Sequence, residues 1–498
     1  MAKTKSDATA ARKSVGSGAR EVISGPPGDV TMDARPSTPG MMQNPNFREE
    51  DTQVDIVEFG VPEGQQSMAL DRVFWSHFSP NILPSGLIVG ILLIDAGLDF
   101  WSALIATIIG NIIGGVPPAL AAVMGPGSGY TQIGTSRFSF GKAGMRLPAV
   151  LTWAGGVGWN AVNNVPASVA LLTLVAPMGL HLPYWVALLI LCTVQGFAGV
   201  RGHHLVQALQ KYLGYVLLLT FTVTGILAVE KGGAIATTSH PFSISAFILG
   251  VALVASYTLG WAPYASDYTR YLPRLTSKRR IFFLGFLGLS SSALITESLG
   301  ILTASHFHDT TALSVIQGIV ELTGSVGPVA LIAFIIASIT SNSLSLNTSA
   351  YSLISAGIRL PRNVSAALTA TAAFVLALIG AGQFSSLYES YLFLLGYWVA
   401  PWVGIVLVDW HQRRGDERAK PDGWRRGATI FVLVTASTMA LFSSTDLYTG
   451  PITRWLGGAD VGYFVGFFAA ALLYFVTSPA SVAAASSRSD VSRAWTER

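Results

Sequence analysis

Two segments decide how this chain is read: SPNILPSGLIVGILLIDAG, residues 79–97, and ILGVALVASYTLGWAPYASDYTRYLP, residues 248–273. Both are apolar enough for a membrane helix, and both are interrupted. The first carries Pro80, Pro84, Ser85 and Gly86 in its first half; the second carries Gly260, Trp261 and Pro263 in its second half. Proline removes a backbone donor and clashes with the preceding turn, and glycine relaxes the backbone. In lipid, the N–H and C=O groups freed at such a break must be met by protein or by a polar solute. Gly and Pro are also common in ordinary membrane helices. The pairing of two breaks at corresponding places in two halves is what points to a transport site.

Composition agrees with a lipid environment. Of 498 residues, 51% are hydrophobic and 12% charged. Soluble proteins carry about 25% charged residues. This excludes an ordinary soluble enzyme, a disordered chain and a nucleic-acid binder. The one cysteine, Cys192, excludes a disulfide framework or a cysteine metal site within one chain.

Twelve apolar stretches long enough to span about 30 Å recur, at 78–97, 101–124, 147–176, 183–200, 212–229, 244–265, 281–304, 326–349, 364–381, 387–409, 428–444 and 461–477. Helices 1–5 (about 78–229) and 6–10 (about 244–409) form two repeats, inverted because five is odd, and two further helices follow at about 428–477. The transporter domain is expected over 67–480, between a disordered N-terminal tail, 1–66, and a C-terminal tail, 481–498. The N-terminal tail has no signal-peptide pattern.

Charge in the short loops supports an even helix count. With the N-terminus inside, the inner loops hold Arg137, Lys142 and Arg146; Arg201 and Lys211; Arg270, Arg274 and Lys278–Arg280; Arg359 and Arg362; and six more between Arg413 and Arg426. These eighteen face only Lys231 and Arg454 outside, a strong positive-inside bias. The net charge of +4 is then largely an orientation signal.

Polar residues inside the spans carry the chemistry. In helix 3, Trp159 and Asn163 are four apart and share a face. An indole beside an amide suits a planar heterocycle: the ring stacks and the amide bonds its edge. The competing reading is helix packing through Gly155, Gly156 and Gly158, with Asn163 as interhelical glue. In helix 8, Asn342 and Asn347 sit among Ser338, Thr340, Ser341, Ser343 and Ser345, too polar a run for lipid. Glu297 in helix 7 is the one carboxylate well inside a span, a candidate proton carrier. Asp267 and Asp409 are expected to pair with Arg270 and Arg413 at helix ends. No histidine is placed in mid-helix, which argues against a histidine relay or metal site.

The stretches GTSRFSFGKAGMRLPAVLTWAGGVGWNAVN, GWAPYASDYTRYLP, SNSLSLNTSAYSLISAGIRLPR and FLLGYWVAPWVGIVLVDW resemble the purine–cytosine permeases of nucleobase–cation symporter family one, from about Phe74 to about Val476. The resemblance implies an all-α polytopic membrane protein of 12 transmembrane helices, with a LeuT-like five-plus-five inverted repeat and broken helices 1 and 6. It implies substrate-binding roles for Trp159, Asn163, Trp261, Asn342 and Ser85, with Gly260 at the helix 6 break. The family's second helix 8 amide position is Ser345 here. Sodium-dependent members use helix 1 carbonyls and paired hydroxyls early in helix 8. Ser338 matches one of these and Ile339 does not match the other, so a proton is the expected coupling cation, with Ser338 and Glu297 as candidates for the ion.

The expected function is plasma-membrane uptake of a nucleobase, cytosine or a purine, by cation-coupled symport with alternating access and both termini cytoplasmic. The alternative is another planar heterocycle, such as a hydantoin, allantoin, uracil or a vitamin ring, with sodium coupling. No cofactor, nucleic acid or obligate protein partner is expected; the partners are the base and the bilayer. A membrane enzyme would need a nucleophile–base pair or metal ligands in mid-membrane, and a channel would need a charged ring or filter-like repeat; neither pattern is present.

Overall fold

The computed structural model describes residues 60–201, 203–230, 242–307, 309–358, 360–413, 421–445 and 448–478. The expected tails, Lys231, Arg359, Arg414, Arg418 and Lys420 lie outside the described residues, apart from Gly60–Gln66. That short stretch is held in place. The Val61 N–H donates to the Gly129 carbonyl at 2.9 Å. The Gln66 amide donates to the Pro126 and Arg270 carbonyls at 3.1 and 2.9 Å.

The architecture is helical. A broken pair, α1 (Arg72–Phe78) and α2 (Pro84–Asp95), opens it, followed by α3 (Phe100–Ala122), α4 (Gln132–Gly144), α5 (Arg146–Val175), α6 (Tyr184–Arg201) and α7 (His203–Glu230). A second broken pair, α8 (Ile244–Leu259) and α9 (Ala265–Thr269), precedes α10 (Lys278–Thr303), α11 (Ala312–Thr323), α12 (Gly327–Ser355), α13 (Arg362–Gly380) and α14 (Phe384–Arg413). The last helices are α15 (Arg426–Phe442) and α16 (Gly462–Val476), with a small hairpin, β1 (Ser444–Thr445) and β2 (Tyr448–Thr449), between them. Each of the twelve expected stretches falls on one of these helices or broken pairs; α4 and α11 are additional helices in connections. By length and composition, six helical stretches can cross a membrane, and α1–α2 counted as one span makes seven. Four shorter apolar helices lie in α6, α7, α15 and α16.

Local chemistry sets several boundaries. Asp99 begins α3 by accepting from the Trp101 and Ser102 N–H groups at 2.9 and 3.1 Å, an N-cap. Ser243 and Thr311 cap α8 and α11 in the same way. Along α3, Trp101, Ile105, Ile108 and Ile112 are exposed at helical spacing, whereas Gly110, Asn111 and Gly114 are buried. Apolar outside with small and polar residues inside is the pattern of a helix that faces lipid and packs closely on its neighbours.

The packing carries the repeat. Helix α2 lies on α10, and α3 lies on α8. A shift of five helices converts the first contact, span 1 on span 7, into the second, span 6 on span 2. The contacts of α5 with α13 and of α6 with α12 are related in the same way. The pairings α3–α10, α5–α12 and α6–α13 each join equivalent members of the two halves. This two-fold scheme places the two breaks side by side at the centre.

The first break bends the chain by 59° between α1 and α2. Its freed carbonyls are met by hydroxyls from other helices. Ser341 of α12 donates to the Pro80 carbonyl at 3.2 Å, Tyr257 of α8 to Asn81 at 3.5 Å, and Tyr388 of α14 to Ser85 at 3.2 Å. The break is therefore satisfied by tertiary contacts, as a buried interruption in lipid requires.

Candidate functional site

A cavity lies where the two breaks meet α5 and α12. Trp159, Asn163, Trp261, Gly260 and Ser85 all line it. Five of the six expected substrate-binding residues, drawn from three separate parts of the chain, are thus brought together. Asn342 is the exception and is placed behind the wall. Neither Ser338 nor Glu297 lines the cavity.

The aromatic wall is built by helix geometry. Trp159 stands edge-on to Tyr257 and Tyr391, with ring centroids 5.7 and 5.4 Å apart and interplanar angles of 76° and 88°. Such T-shaped pairs hold an indole without covering its face. A Cβ on Gly260 would come within 3.2 Å of the Trp159 ring, so the missing side chain at the second break makes room for the indole. Tyr257, Trp261, Tyr264 and Tyr268 all line the cavity. Their spacing of four, three and four residues is one helical face continued through the break, a signal in the sequence that would have found the three tyrosines.

The amide wall is a relay. The Asn163 Nδ2 donates to Asn342 Oδ1 at 3.0 Å. The Asn342 Nδ2 in turn donates to the Asn160 carbonyl at 3.2 Å and to Asn164 Oδ1 at 3.0 Å. A backbone carbonyl only accepts, so it fixes which end of Asn342 faces it, and that fixes Asn163. The outcome is that Asn163 Oδ1 is buried without a partner. Asn342, fully buried, orients the amide that faces the cavity and does not itself reach it. The helix 8 contribution to the wall comes instead from Ser341, Leu344, Ser345 and Thr348. Ser345, at the position of the family's second amide, accepts from the Asn160 amide at 3.1 Å.

Asn81 is a lining residue that sequence reasoning missed. Its Oδ1 accepts from the Trp261 indole N–H at 3.2 Å, and its amide donates to Ser292 Oγ at 3.1 Å. An amide inside the break SPNILPSG was visible in the sequence, but nothing there showed that it bonds across to Trp261.

Among the described residues, the lining contains no Asp, Glu, Lys, Arg or His. Charged groups near it are turned elsewhere. Asp267 was expected to pair with Arg270; its Oδ1 instead accepts the Gln132 backbone N–H at 2.9 Å. Asp409 does pair with Arg413, at 2.7 Å. One histidine, in the last turn of α1, does come close to the site. His77 lies buried in α1 beneath the cavity, its ring 6.4 Å from that of Trp261 and 6.0 Å from that of Tyr268. Its Nδ1 donates to the Val73 carbonyl at 2.8 Å, which leaves Nε2 without a partner. Ser338 Oγ is likewise buried and unpartnered.

The family that the chain matches is one of permeases, not of enzymes. The family model for permeases of cytosine/purines, uracil, thiamine and allantoin matches residues 61–466, and the chain belongs to this family. It is 28% identical over 432 residues to the purine-cytosine permease fcyB of Emericella nidulans, covering 80% of this chain and 83% of that one. Against the purine-cytosine permease FCY21 of Saccharomyces cerevisiae it is 26% identical over 433 residues, covering 81% of each. Among solved structures it is similar to Mhp1, a nucleobase-cation-symport-1 family transporter with bromovinylhydantoin bound, at a TM-score of 0.67 and 14% identity, covering 84% of this chain and 94% of that one. The inward-facing conformation of Mhp1 superposes at 0.68 and 16% identity, covering 86% and 93%. These structures establish the LeuT-type fold.

Proposed function

We propose that the protein imports a nucleobase, cytosine or a purine, across the plasma membrane by proton-coupled symport with alternating access. The observation that supports this most directly is the cavity: aromatic walls, an open amide acceptor and hydroxyls, with no charged side chain among the described residues of the lining. A neutral planar heterocycle with N–H donors matches it. The base lies against Trp159 and Trp261, presents a donor to Asn163 Oδ1, and meets Ser85 and the backbone of the breaks at its remaining edge. Asn342 acts on the base through Asn163. The eighteen-to-two loop charge bias supports cytoplasmic termini. Coupling supplies the driving force, since one charge crossing the membrane is worth about 2.3 kcal/mol per 100 mV.

A second reading keeps the transport cycle and changes the solute and ion. The family description includes uracil, thiamine and allantoin, and the unpartnered Ser338 hydroxyl favours sodium between α1 and α12. Against it, Ser341 already occupies the Pro80 carbonyl and Ile339 offers no oxygen side chain. Uptake of labelled cytosine, purines, uracil and allantoin in a transport-deficient host separates the two. A protonophore is expected to abolish cytosine or purine uptake, and replacement of sodium is expected to leave it unchanged. Sodium dependence without protonophore sensitivity refutes the proton reading.

A further inference from the structure

We infer that Glu297 carries the coupled proton, with Asn111 as the residue that holds its carboxyl group. The inference rests on the proton-symport reading above and names its ion site. Glu297 lies in α10, fully buried, outside the cavity lining. Its Oε2 accepts a hydrogen bond from Asn111 Nδ2 of α3. The same Nδ2 donates to the Thr107 carbonyl at 3.0 Å, which fixes the amide so that its NH2 faces the acid. Glu297 Oε1 has no hydrogen-bond partner, and neither has Asn111 Oδ1.

The surroundings leave the acid without a countercharge among the described residues. From α2 it meets the backbone at Gly90, whose Cβ position would overlap the Glu297 carbonyl oxygen. From α3 it meets Asn111, with Thr107 one turn away. The ionisable groups in electrostatic reach are two phenols, Tyr257 of α8 and Tyr388 of α14. His77 of α1 packs on α10 nine residues away, at Gly288. From α7, Gly225 meets Leu299 and Leu302. The cations of α10 itself, Lys278, Arg279 and Arg280, are at its first turn. A buried carboxyl group so placed is satisfied by binding a cation, and a bare Oε1 beside an amide is a proton-sized site.

The position also links the ion to the base. Gly90 and Gly300 let α2 and α10 approach backbone to backbone, and Gly86 of α2 abuts Thr296, the residue before Glu297. Helix α2 carries Ser85 into the cavity. Tyr257 and Tyr388, the two phenols near Glu297, donate to the α2-break carbonyls of Asn81 and Ser85. Loading Glu297 forms one O–H bond at Oε1 and removes one negative charge. Unloading reverses both. Either change acts on the helix that forms one wall of the base site.

The test uses the full chain in proteoliposomes containing a pH-sensitive dye, with labelled cytosine and hypoxanthine as probes. In the wild type, acid outside is expected to drive accumulation, and an inward base gradient is expected to acidify the lumen. For Glu297→Gln, the ratio of pH-driven accumulation to base–base exchange is expected to fall at least tenfold, with base-driven acidification lost. Glu297→Asp, which keeps the carboxyl, is expected to restore acidification and to shift the protonated-carboxyl band in the infrared difference spectrum on base addition. A Glu297→Gln protein that accumulates base with the wild-type ratio overturns the inference. So does an infrared band that is unmoved in Glu297→Asp, a readout that stands even where the glutamine variant does not fold. A wild type driven by sodium and not by pH overturns it while leaving base transport intact. A wild type that carries neither base defeats the functional reading itself.

Discussion

Removing the indole of Trp159 tests the site at its most informative atom group. The ring is held by edge-on contacts with Tyr257 and Tyr391, at 5.7 and 5.4 Å, and rests over Gly260. Truncation to alanine has two separable costs. Loss of base stacking is worth about 1–3 kcal/mol, which is roughly fivefold to hundredfold in affinity at about 1.4 kcal/mol per tenfold. Loss of the two aromatic pairs, at about 0.5–1.5 kcal/mol each, lowers stability by roughly 1–3 kcal/mol. Trp159→Ala should therefore raise the half-saturation constant for labelled cytosine or purine by fivefold or more and lower the melting temperature in detergent. Trp159→Phe, which keeps a smaller face, should fall between. Trp153, two turns earlier, bonds Thr369 Oγ1 at 3.0 Å and does not line the cavity. Trp153→Phe should lower stability and leave the half-saturation constant where it was. The reasoning is refuted if Trp159→Ala, well expressed, transports with a half-saturation constant within twofold of wild type.

Two further outcomes concern the frame around the site. Gly90→Ala places a methyl group on the Glu297 carbonyl, between two helix backbones that cannot both stay in place. Overpacking of this kind costs about 1–3 kcal/mol, so the variant should melt earlier and accumulate less base; unchanged melting would show that α2 and α10 do not approach this closely. At the connection before α16, Asp460 is buried, and burial pushes its carboxyl up from 3.8 to about 6, against the opposing hydrogen bonds from Tyr397 and the Gly462 N–H. An acid that is raised on folding stabilises the folded state while protonated. That contribution is full below the unfolded value of 3.8 and is lost as pH rises to about 6, on the order of 3 kcal/mol in all. Asp460→Asn should flatten the fall in melting temperature between pH 4 and pH 6; an unaltered pH profile would assign that dependence to other groups.

Much of the fold could be read without coordinates because its causes are local. Pro80, Pro84, Gly260 and Pro263 disturb helices through their own covalent geometry: the chain bends by 59° at the first pair, and at the second the α-helix is interrupted between Leu259 and Ala265. Twelve apolar stretches are recognisable because lipid rewards length and composition, not partners. Trp159 and Asn163 share a face by helical spacing alone. Two placements depended on the packing of separate helices. The family resemblance implied a substrate-binding role for Asn342; that its amide bonds Asn163, Asn164 and Asn160 depends on how α12 is rotated against α5. His77 ends a short helix before the break, and only the packing of α1 near Trp261 buries it.

By itself the sequence determined the class of protein, the positions of the breaks and the residue types available to a planar solute. All of these follow from backbone chemistry, hydrophobicity and periodicity along one helix at a time. The tertiary structure decided which polar atoms are left open. Asn163 presents an acceptor because Asn342 is anchored by a backbone carbonyl of the neighbouring helix. The α1–α2 break is closed by hydroxyls from α8, α12 and α14, and Glu297 keeps a bare oxygen because no cation among the described residues is packed against it. The physical reason is that hydrogen-bond satisfaction in a bilayer is a property of helix pairs, set by their rotation and separation, and no single segment encodes it.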